Sequence, residues 1–249
     1  MLPAALDRFT EESIVLSSVD YGEADRIVTL FTVGRGRLSA FAAGARKSKR
    51  RFPGALEPAT HLKARLVERR GDTYRLDAAD VVTSFHQLRG DLGRIARSLY
   101  ALELCRELTR DHEPHPQLFQ SLLDYLGLLD RAQAGPTSLI AFELDTLARA
   151  GFRPQFAPCT RCGSDTGERP RFDPDVGGAI CDSCAPEFHY AVPADAAVID
   201  ALARLQAGER TPFDAGIRAS ARELLNLFIE HHLGRRLKSV DFLNQVGID

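Results

Sequence analysis

The stretch His61-Leu-Lys-Ala-Arg-Leu-Val-Glu-Arg69 alternates apolar and charged side chains, which is the pattern of a β-strand with one buried face. The stretch Asp25-Arg-Ile-Val-Thr-Leu-Phe-Thr-Val33 is rich in β-branched residues and is followed by a turn signal at Gly34-Arg-Gly36. Five such strands with close turns in about 80 residues predict a small closed or half-open β-barrel. The other three predicted strands are 13–19, 38–43 and 74–82.

The oligonucleotide-binding (OB) barrel is the five-stranded member of this group of folds. From about residue 84 onward, by contrast, apolar residues recur at helical spacing. Pro116 suits the first turn of one helix, and Gly208 and Gly234 follow the last apolar residues of two others. Because each of these helices is apolar on one face, we expect them to pack together as a bundle.

The composition is that of a globular chain. Of 249 residues, 44% are hydrophobic and 27% are charged, which argues against a disordered or fibrous protein. No apolar run approaches the roughly 20 residues that a membrane-spanning helix needs. The opening MLPAALDRFTEES lacks the basic and apolar regions of a signal peptide. We therefore expect a cytoplasmic protein without a membrane partner, in which cysteines hold metal more often than disulfides.

Four of the five cysteines form two pairs, Cys159-Thr-Arg-Cys162 and Cys181-Asp-Ser-Cys184, separated by 18 residues. Each CxxC turn directs two sulfur atoms at one ion, and two such turns supply a tetrahedral set for Zn²⁺. A redox dithiol pair and two disulfides are the alternatives. Four thiolates leave no open coordination position, so we expect one structural Zn²⁺. Cys105 lies on a helical stripe and is predicted to be a buried core thiol.

The residues between the two pairs offer little apolar surface, so a metal would have to hold this segment together. The predicted fold is therefore a multidomain α+β chain with three parts. An OB-type nucleic-acid-binding domain occupies 1–82, a helical bundle occupies 83–152 and 193–249, and a four-cysteine zinc finger is inserted at 153–192.

Basic residues are concentrated in the segment 35–75, which carries a net charge of +9, whereas the remaining 208 residues carry −11. Within this segment, Arg46-Lys47-Ser48-Lys49-Arg50-Arg51 places five cations in six residues. Glycine and proline flank the run, so we expect a flexible loop over 44–60 on the rim of the barrel. A basic block on an acidic chain indicates a polyanionic partner, and a solvated charged loop is the alternative.

Three aromatic residues, Phe41, Phe52 and Tyr74, lie among these cations. Single-stranded nucleic acid binds through cations at its phosphates and aromatic rings beneath its bases. The pattern therefore favours a nucleic-acid-binding surface, although Phe41 is equally a candidate for the core. Lys63 and Arg65, on the strand after the loop, extend the predicted basic surface.

The sequence carries no catalytic signature. It has no phosphate-binding GxxxxGK loop, no GxSxG nucleophile elbow and no HExxH metal motif. Its carboxylates are scattered, without the close cluster of a two-metal nuclease. We expect no catalytic residue and no enzymatic activity. A zinc-dependent nucleic-acid enzyme is disfavoured because the four predicted thiolate ligands close the metal site.

The stretches Tyr21-Gly-Glu-Ala-Asp-Arg-Ile-Val-Thr-Leu-Phe-Thr32, Ala43-Gly-Ala-Arg-Lys-Ser-Lys-Arg50 and Gly54-Ala-Leu-Glu-Pro58 resemble the N-terminal domain of the RecO family of bacterial recombination mediators. The stretch Glu230-His-His-Leu-Gly-Arg-Arg-Leu-Lys-Ser239 resembles the closing segment of that family. The resemblance covers the whole chain in order. The four paired cysteines make the chain similar to the zinc-containing branch.

The resemblance implies a non-enzymatic role in recombinational repair, in the RecF pathway of the bacterial cytoplasm and nucleoid. It implies binding of single- and double-stranded DNA, annealing of complementary strands and, with RecR, loading of RecA onto DNA coated with single-strand-binding protein (SSB). The DNA contacts that it implies are Arg35, Arg37, Arg46, Lys47, Lys49, Arg50 and Arg51.

The resemblance also implies that the SSB C-terminal tail docks on the helical domain. Arg106 and the cluster Arg235-Arg236-Lys238 are candidate acceptors of an acidic tail. Ordinary helix-end charges, which complement the helix dipole, would produce the same pattern. The alternative function for the whole chain is that of a zinc-bearing regulator that binds RNA through its OB barrel.

Overall fold

The computed structural model describes residues 7–48, 50–52, 54–69 and 73–248. The predicted DNA contact Lys49 lies outside the described residues. The chain divides into two compact units, Met1–Ala132 and Gln133–Asp249. Among the residues described, no helix combines the length and apolar character needed to span a membrane.

The first unit contains a closed barrel of five strands. These are β1 (Arg8–Tyr21), β2 (Asp25–Thr32), β3 (Gly36–Ala42), β4 (His61–Glu68) and β5 (Tyr74–Thr83). The order around the barrel is β1-β2-β3-β5-β4, with β4 closing on β1. Neighbouring strands are antiparallel except β3 and β5, which are parallel. The prediction of a five-stranded barrel of the OB type is confirmed.

The alternation in β4 determines which face of that strand is buried. Leu62, Ala64 and Leu66 are buried in the barrel core, whereas Lys63 and Arg65 are exposed. Successive side chains of a strand point to opposite faces, so the apolar set fills the barrel and the charged set meets solvent. The period-2 pattern of the sequence therefore predicts the strand and its buried face.

The loop between β3 and β4 differs in its two halves. Phe52, Ala55 and Leu56 of its second half are buried in the barrel core. The backbone N–H of Ala79 in β5 donates to the carbonyl oxygen of Arg51 at 3.1 Å. The expectation of a flexible loop over 44–60 is therefore wrong for its second half, where buried apolar side chains hold the chain against the barrel.

Two helices complete the first unit, α1 (Leu92–Leu108) and α2 (Pro116–Asp130). As expected, α2 begins with Pro116. The ring of Phe119 in α2 lies 5.7 Å from Phe31 of β2 and 6.1 Å from His61 of β4, so this helix packs on the barrel. Cys105 of α1 is fully buried, and its burial raises the pKa of the thiol. The prediction of a core thiol is confirmed.

The second unit contains four helices among its described residues, α3 (Ser138–Arg149), α4 (Ala196–Gln206), α5 (Ala215–Leu233) and α6 (Lys238–Gln245). A small sheet between α3 and α4 comprises β6 (Arg171–Asp173), β7 (Gly178–Ile180) and β8 (Val192–Pro193). Gly234 has a φ of +66°, the left-handed conformation that ends a helix, directly after α5. A buried ion pair between Glu143 and Arg222 joins α3 to α5.

Candidate metal centre and nucleic-acid interface

The fold brings the four paired cysteines together. The sulfur atoms of Cys159, Cys162, Cys181 and Cys184 all lie within 4.8 Å of one another, and those of Cys162 and Cys181 are 3.8 Å apart. A tetrahedral site with Zn–S bonds of about 2.3 Å has S···S edges of about 3.8 Å. None of the five cysteines, all of which the structure describes, forms a disulfide. The cluster therefore fits a metal ion with four thiolate ligands.

The first CxxC turn is attached to β7. The backbone N–H of Thr160 donates to the carbonyl oxygen of Ala179 at 2.9 Å. A Cβ atom at Gly178 would lie 2.3 Å from the carbonyl oxygen of Gln155, so the close approach of the two chains requires glycine there. Gly163, with a φ of +74°, turns the chain directly after the first pair. Local backbone geometry thus holds the first pair of ligands in position.

Buried aromatic rings hold the segment 153–192, which carries the four cysteines, on the helices of the second unit. Phe156 stacks on Phe172 of β6, with ring centroids 5.7 Å apart, and Phe172 meets Phe228 of α5 edge-on at 6.1 Å. All three rings are buried. The expectation that this segment has little apolar surface to bury is therefore wrong, because Phe156 and Phe172 are both buried. Aromatic packing therefore supports the segment in addition to any metal that the cysteines hold.

The thiols of the cluster differ in proton affinity. Hydrogen bonds with Ser164 lower the pKa of Cys162 to about 6. Burial raises the pKa of Cys159, but backbone N–H donors of Cys162 and Cys181 outweigh it and lower the pKa overall. A hydrogen bond with Cys181 raises the pKa of Cys184 to about 12. A lowered thiol pKa favours the thiolate, whose negative charge attracts a cation, and metal binding would displace the protons of the other thiols.

The first half of the β3–β4 loop is held by the turn between β1 and β2. The backbone N–H of Arg46 donates to the carbonyl oxygen of Ala24 at 3.0 Å, and its guanidinium pairs with Asp20 at 3.4 Å. The carboxylate of Asp25 accepts from the backbone N–H of Gly44 at 2.7 Å. Arg46, a predicted DNA contact, therefore anchors the loop as well as adding charge to it.

A second tie joins the same turn to the far end of the loop. Arg26 of β2 pairs with Glu57 of the loop and with Asp20 of β1, each at 3.0 Å. The hydrogen bond with Glu57 is the main cause of the raised pKa of Arg26. Contacts with the segment 20–26 thus fix both ends of the loop to the barrel. The positions from which the cations between them project are therefore defined.

Arg35 and Arg37 have partners within the first unit. The Nε atom of Arg37 lies 2.6 Å from Asp111, in the connection between α1 and α2. Arg35 pairs with Glu11 at 3.5 Å, and its guanidinium lies 3.9 Å from the ring centroid of Phe9. These two predicted DNA contacts therefore also join separate elements of the unit.

Three predicted DNA contacts are open, that is, they are exposed cations without an ion-pair partner. Lys47, Arg50 and Lys63 are exposed, and none forms an ion pair within the part of the chain that the structure describes. An ammonium or guanidinium group without a carboxylate partner is available to a phosphate. A polyanion would bind these three cations of the predicted surface without breaking an existing ion pair.

A groove of about 410 Å³ in the first unit brings together Arg8, Arg51 and Arg65 beside Phe9. Arg51 comes from the loop, Arg65 from β4 and Arg8 from the start of β1. Arg65 also pairs with Asp80 at 3.6 Å, but both side chains are mostly exposed and such pairs contribute little. Sequence reasoning missed Arg8 because it lies far outside the basic segment; the pairing of β1 with β4 is the signal that places it there.

Two of the three aromatic candidates do not face solvent. Phe52 and Tyr74 are buried in the barrel core, so the expectation that they stack on bases is wrong. Phe41 is half-buried, and its ring meets that of Tyr21 edge-on with centroids 5.8 Å apart. Tyr21 is 56% exposed, and sequence reasoning missed it because it lies outside the basic segment.

The candidate acceptors of an acidic tail are compensated locally. Arg106 pairs with Glu107 of its own helix at 2.9 Å, and Arg236 pairs with Asp241 of α6 at 3.1 Å. Helix-end charges with partners of this kind serve the helix itself. The geometry therefore favours the structural alternative for these two arginines.

Comparisons with known proteins agree with this architecture. The family model described as "Recombination protein O N terminal" matches residues 6–85, and that described as "Recombination protein O C terminal" matches residues 89–241. Together the two models cover the barrel and most of the helical part of the chain.

Three curated relatives carry the name "DNA repair protein RecO". That of Myxococcus xanthus (strain DK1622) is 58% identical over 244 residues, which are 98% of this chain and 100% of that protein. That of Anaeromyxobacter dehalogenans (strain 2CP-C) is 51% identical, over 97% of this chain and 98% of that protein. That of Geobacter sulfurreducens is 37% identical, over 94% and 97%. With both family models matched and relatives similar over their full length, the chain belongs to the RecO family.

Proposed function

We propose that this chain is a non-catalytic DNA-binding protein of recombinational repair. In this proposal it binds single- and double-stranded DNA, anneals complementary strands and, with RecR, helps RecA to replace SSB on single-stranded DNA. Membership of a family whose relatives are named for DNA repair supports this role over regulation through RNA. The observation that carries it is the set of open cations on an OB-type barrel, since such barrels bind oligonucleotides.

Within this proposal the cations have two tasks. Lys47, Arg50 and Lys63 bind phosphates directly, because their charges are not neutralised within the described chain. Arg46 holds the loop in place and adds to the local potential. The complete set of proposed DNA contacts is Arg35, Arg37, Arg46, Lys47, Lys49, Arg50, Arg51, Lys63 and Arg65.

We further propose that the four-cysteine cluster holds one structural Zn²⁺, with Cys159, Cys162, Cys181 and Cys184 as ligands. Bound there, the ion would cross-link the two CxxC turns. It would not act as a Lewis acid, because four thiolates complete its tetrahedral coordination. The segment 153–192 would then be a zinc finger inserted in a helical bundle formed by 83–152 and 193–249, after an OB domain over 1–82. The SSB tail would dock on the bundle, and the protein would act at the nucleoid.

A salt titration tests the DNA proposal. Fluorescently labelled single-stranded DNA is titrated at several salt concentrations, and each phosphate contact contributes a log–log slope of about −0.7. Replacing Lys47 and Arg50 by Ala should therefore flatten the slope by about 1.4 for every sequence tested. The matched control replaces Arg161 and Arg204, two exposed arginines of the second unit, by Ala and should leave the slope unchanged.

Two results would contradict the proposal. A wild-type protein that binds no DNA, or that prefers RNA of the same sequence over DNA, would favour the RNA-binding alternative. A wild-type protein that binds DNA but neither anneals complementary strands nor retains RecR in a pull-down would reject the mediator role while leaving the DNA-binding surface in place.

A further inference from the structure

The outer face of β1, β2 and β3 carries a row of apolar side chains. Val19 and Tyr21 of β1 and Ile27 of β2 are 63%, 56% and 37% exposed. The register pairs Val19 with Ile27 and Ile27 with Phe41 of β3, and residues directly opposite one another lie on the same face of a sheet. These four residues form one surface, the Tyr21–Phe41 platform. A contiguous exposed apolar surface of this kind is a candidate binding site.

The platform lies beside the open cations of the loop. The turn that directly follows Tyr21 holds the loop through Arg46, which bonds to the backbone of that turn. Lys47, the next residue of the loop, therefore leaves the barrel near the turn that follows Tyr21. On the other side, the pairing of β3 with β5 places Arg75 next to Phe41. Arg75 is itself paired with Asp77 at 2.7 Å, so the cations without a partner lie on the loop side of the rings.

Two of the acidic residues near the platform have partners in the barrel and the loop. Asp20 pairs with Arg26 and Arg46, and the carboxylate of Asp25 accepts from the backbone N–H of Gly44. Glu23, in the turn after Tyr21, is exposed and forms no ion pair among the described residues, so one open carboxylate lies near the rings together with the open loop cations. An exposed apolar surface next to the open loop cations complements a strand of stacked bases and phosphates better than it complements an apolar protein surface.

We propose that the Tyr21–Phe41 platform stacks the bases of single-stranded DNA while the loop cations hold the phosphates. This inference rests on the proposed DNA binding and adds to it a means of telling single strands from duplexes. In a duplex the faces of the bases are covered by their neighbours, whereas in a single strand they are free to meet an aromatic ring. The cations alone would not make this distinction, since both forms of DNA carry phosphates.

A single tryptophan reports on the platform directly, because the chain contains none. The variant Tyr21→Trp is titrated with a 20-nucleotide oligo(dT), and its emission should be quenched in parallel with the anisotropy of the labelled oligonucleotide. The matched control is Tyr190→Trp, at a 66% exposed tyrosine of the second unit, whose emission should not change. If the emission of Tyr21→Trp stays constant while the anisotropy of the oligonucleotide reports binding, base stacking on the platform is rejected and the DNA-binding proposal stays intact.

Affinity measurements separate stacking from charge. Tyr21→Ala should weaken binding of oligo(dT) by about tenfold to a hundredfold, the effect of removing one stacked ring, whereas Tyr21→Phe should retain most of the affinity. Tyr21→Ala should leave the salt slope and the affinity for a duplex unchanged, since it removes no charge. Equal losses for single strands and duplexes, or a failure of Tyr21→Phe to retain affinity, would overturn the inference.

Two further outcomes are informative. If no DNA binds to the wild type at any salt concentration, the proposed function fails and the platform fails with it. Tyr21→Ala could instead leave oligo(dT) binding unchanged and abolish a concentration-dependent self-association seen by size-exclusion chromatography. In that case the Tyr21–Phe41 platform is an interface between two copies of the chain, and base stacking there is rejected. Because Tyr21 is exposed, none of these variants should alter stability by more than about twofold in the folding equilibrium constant.

Discussion

The metal centre and the basic loop differ in how closely the sequence specifies their chemistry. For the metal centre, residue type and spacing name every sulfur atom that the fold brings within 4.8 Å. For the loop, the sequence names only a density of charge, and the structure divides its cations into those that anchor it, such as Arg46, and those that stay open, such as Lys47. A spacing rule encodes geometry, whereas composition encodes only the sign of the potential.

The largest expected effect tests the metal side of this comparison. Replacing Cys181 by Ser should remove the metal and unfold the segment around β6 and β7, because the free energy of metal binding is part of the free energy of folding. Elemental analysis should find about one zinc per chain in the wild type and close to none in the variant. Chelation of the wild type should produce the same loss of structure, followed by circular dichroism.

The matched control for Cys181→Ser is Asp182→Ala, at an exposed residue of the same CxxC turn that offers no sulfur. It should keep both the metal and the fold. A Cys181→Ser protein with full metal content and unchanged unfolding, or a disulfide between the two pairs in the wild type, would mean that the cluster has another role.

The next effect concerns the apolar support of the same segment. Phe172 is fully buried between Phe156 and Phe228, so replacing it by Ala should cost about 3–5 kcal/mol of the free energy of unfolding. Urea denaturation monitored by helical circular dichroism measures this loss, with Phe172→Leu as a milder comparison. Loss smaller than about 1 kcal/mol would show that the metal alone supports the segment, as expected from the sequence before packing is considered.

Much of the fold is predictable from the sequence because each signal is local. The alternation in 61–69 gives the strand β4, and Pro116 and Gly234 mark the start of one helix and the end of another, because each rule involves only neighbouring residues. The burial of Phe52 is different, since it depends on where the loop returns to the barrel. Local patterns do not contain that information.

The candidate site shows the same division. The four cysteines are predictable because their ligand chemistry is set by spacing within each pair. The roles of Arg8 and Tyr21 are not predictable in this way. Arg8 joins Arg51 and Arg65 only through the closure of β1 on β4. Tyr21 meets Phe41 only through the pairing of β1, β2 and β3. Residues that become neighbours through strand pairing carry no mark in a linear count of charges.

The third expected effect sharpens the division within the loop. Arg46→Ala should lower the free energy of unfolding by about 1 kcal/mol, because it removes hydrogen bonds to the β1–β2 turn, and should weaken DNA binding by displacing the loop. Lys47→Ala should leave stability within about 0.5 kcal/mol and only reduce the salt slope. Equal stability of the two variants in urea denaturation would contradict the assignment of Arg46 as an anchor.

A conservative change tests the geometry behind that assignment. Arg46→Lys keeps the charge but replaces the guanidinium fork by a single ammonium, which cannot bond to the turn carbonyl and to Asp20 in the same arrangement. It should therefore retain the salt slope while recovering only part of the lost stability. Full recovery of both would mean that charge alone, without anchoring, explains the effect.

The smallest effect is also the one that tests how far the DNA surface extends beyond the basic segment. Arg8 is exposed, and it lines the same groove as Arg51 and Arg65 although it is more than forty residues from either in sequence. If phosphates follow this groove, Arg8→Ala should flatten the salt slope for single-stranded DNA by about 0.7 and leave stability unchanged. The combined variant with Lys47→Ala should flatten it by about 1.4, because independent phosphate contacts add. Arg161→Ala, which removes an exposed arginine of the second unit, should have no effect. A slope that changes with Lys47→Ala but not with Arg8→Ala would confine the DNA to the loop side of the barrel, and the long-range field of the basic segment would then account for binding without the groove.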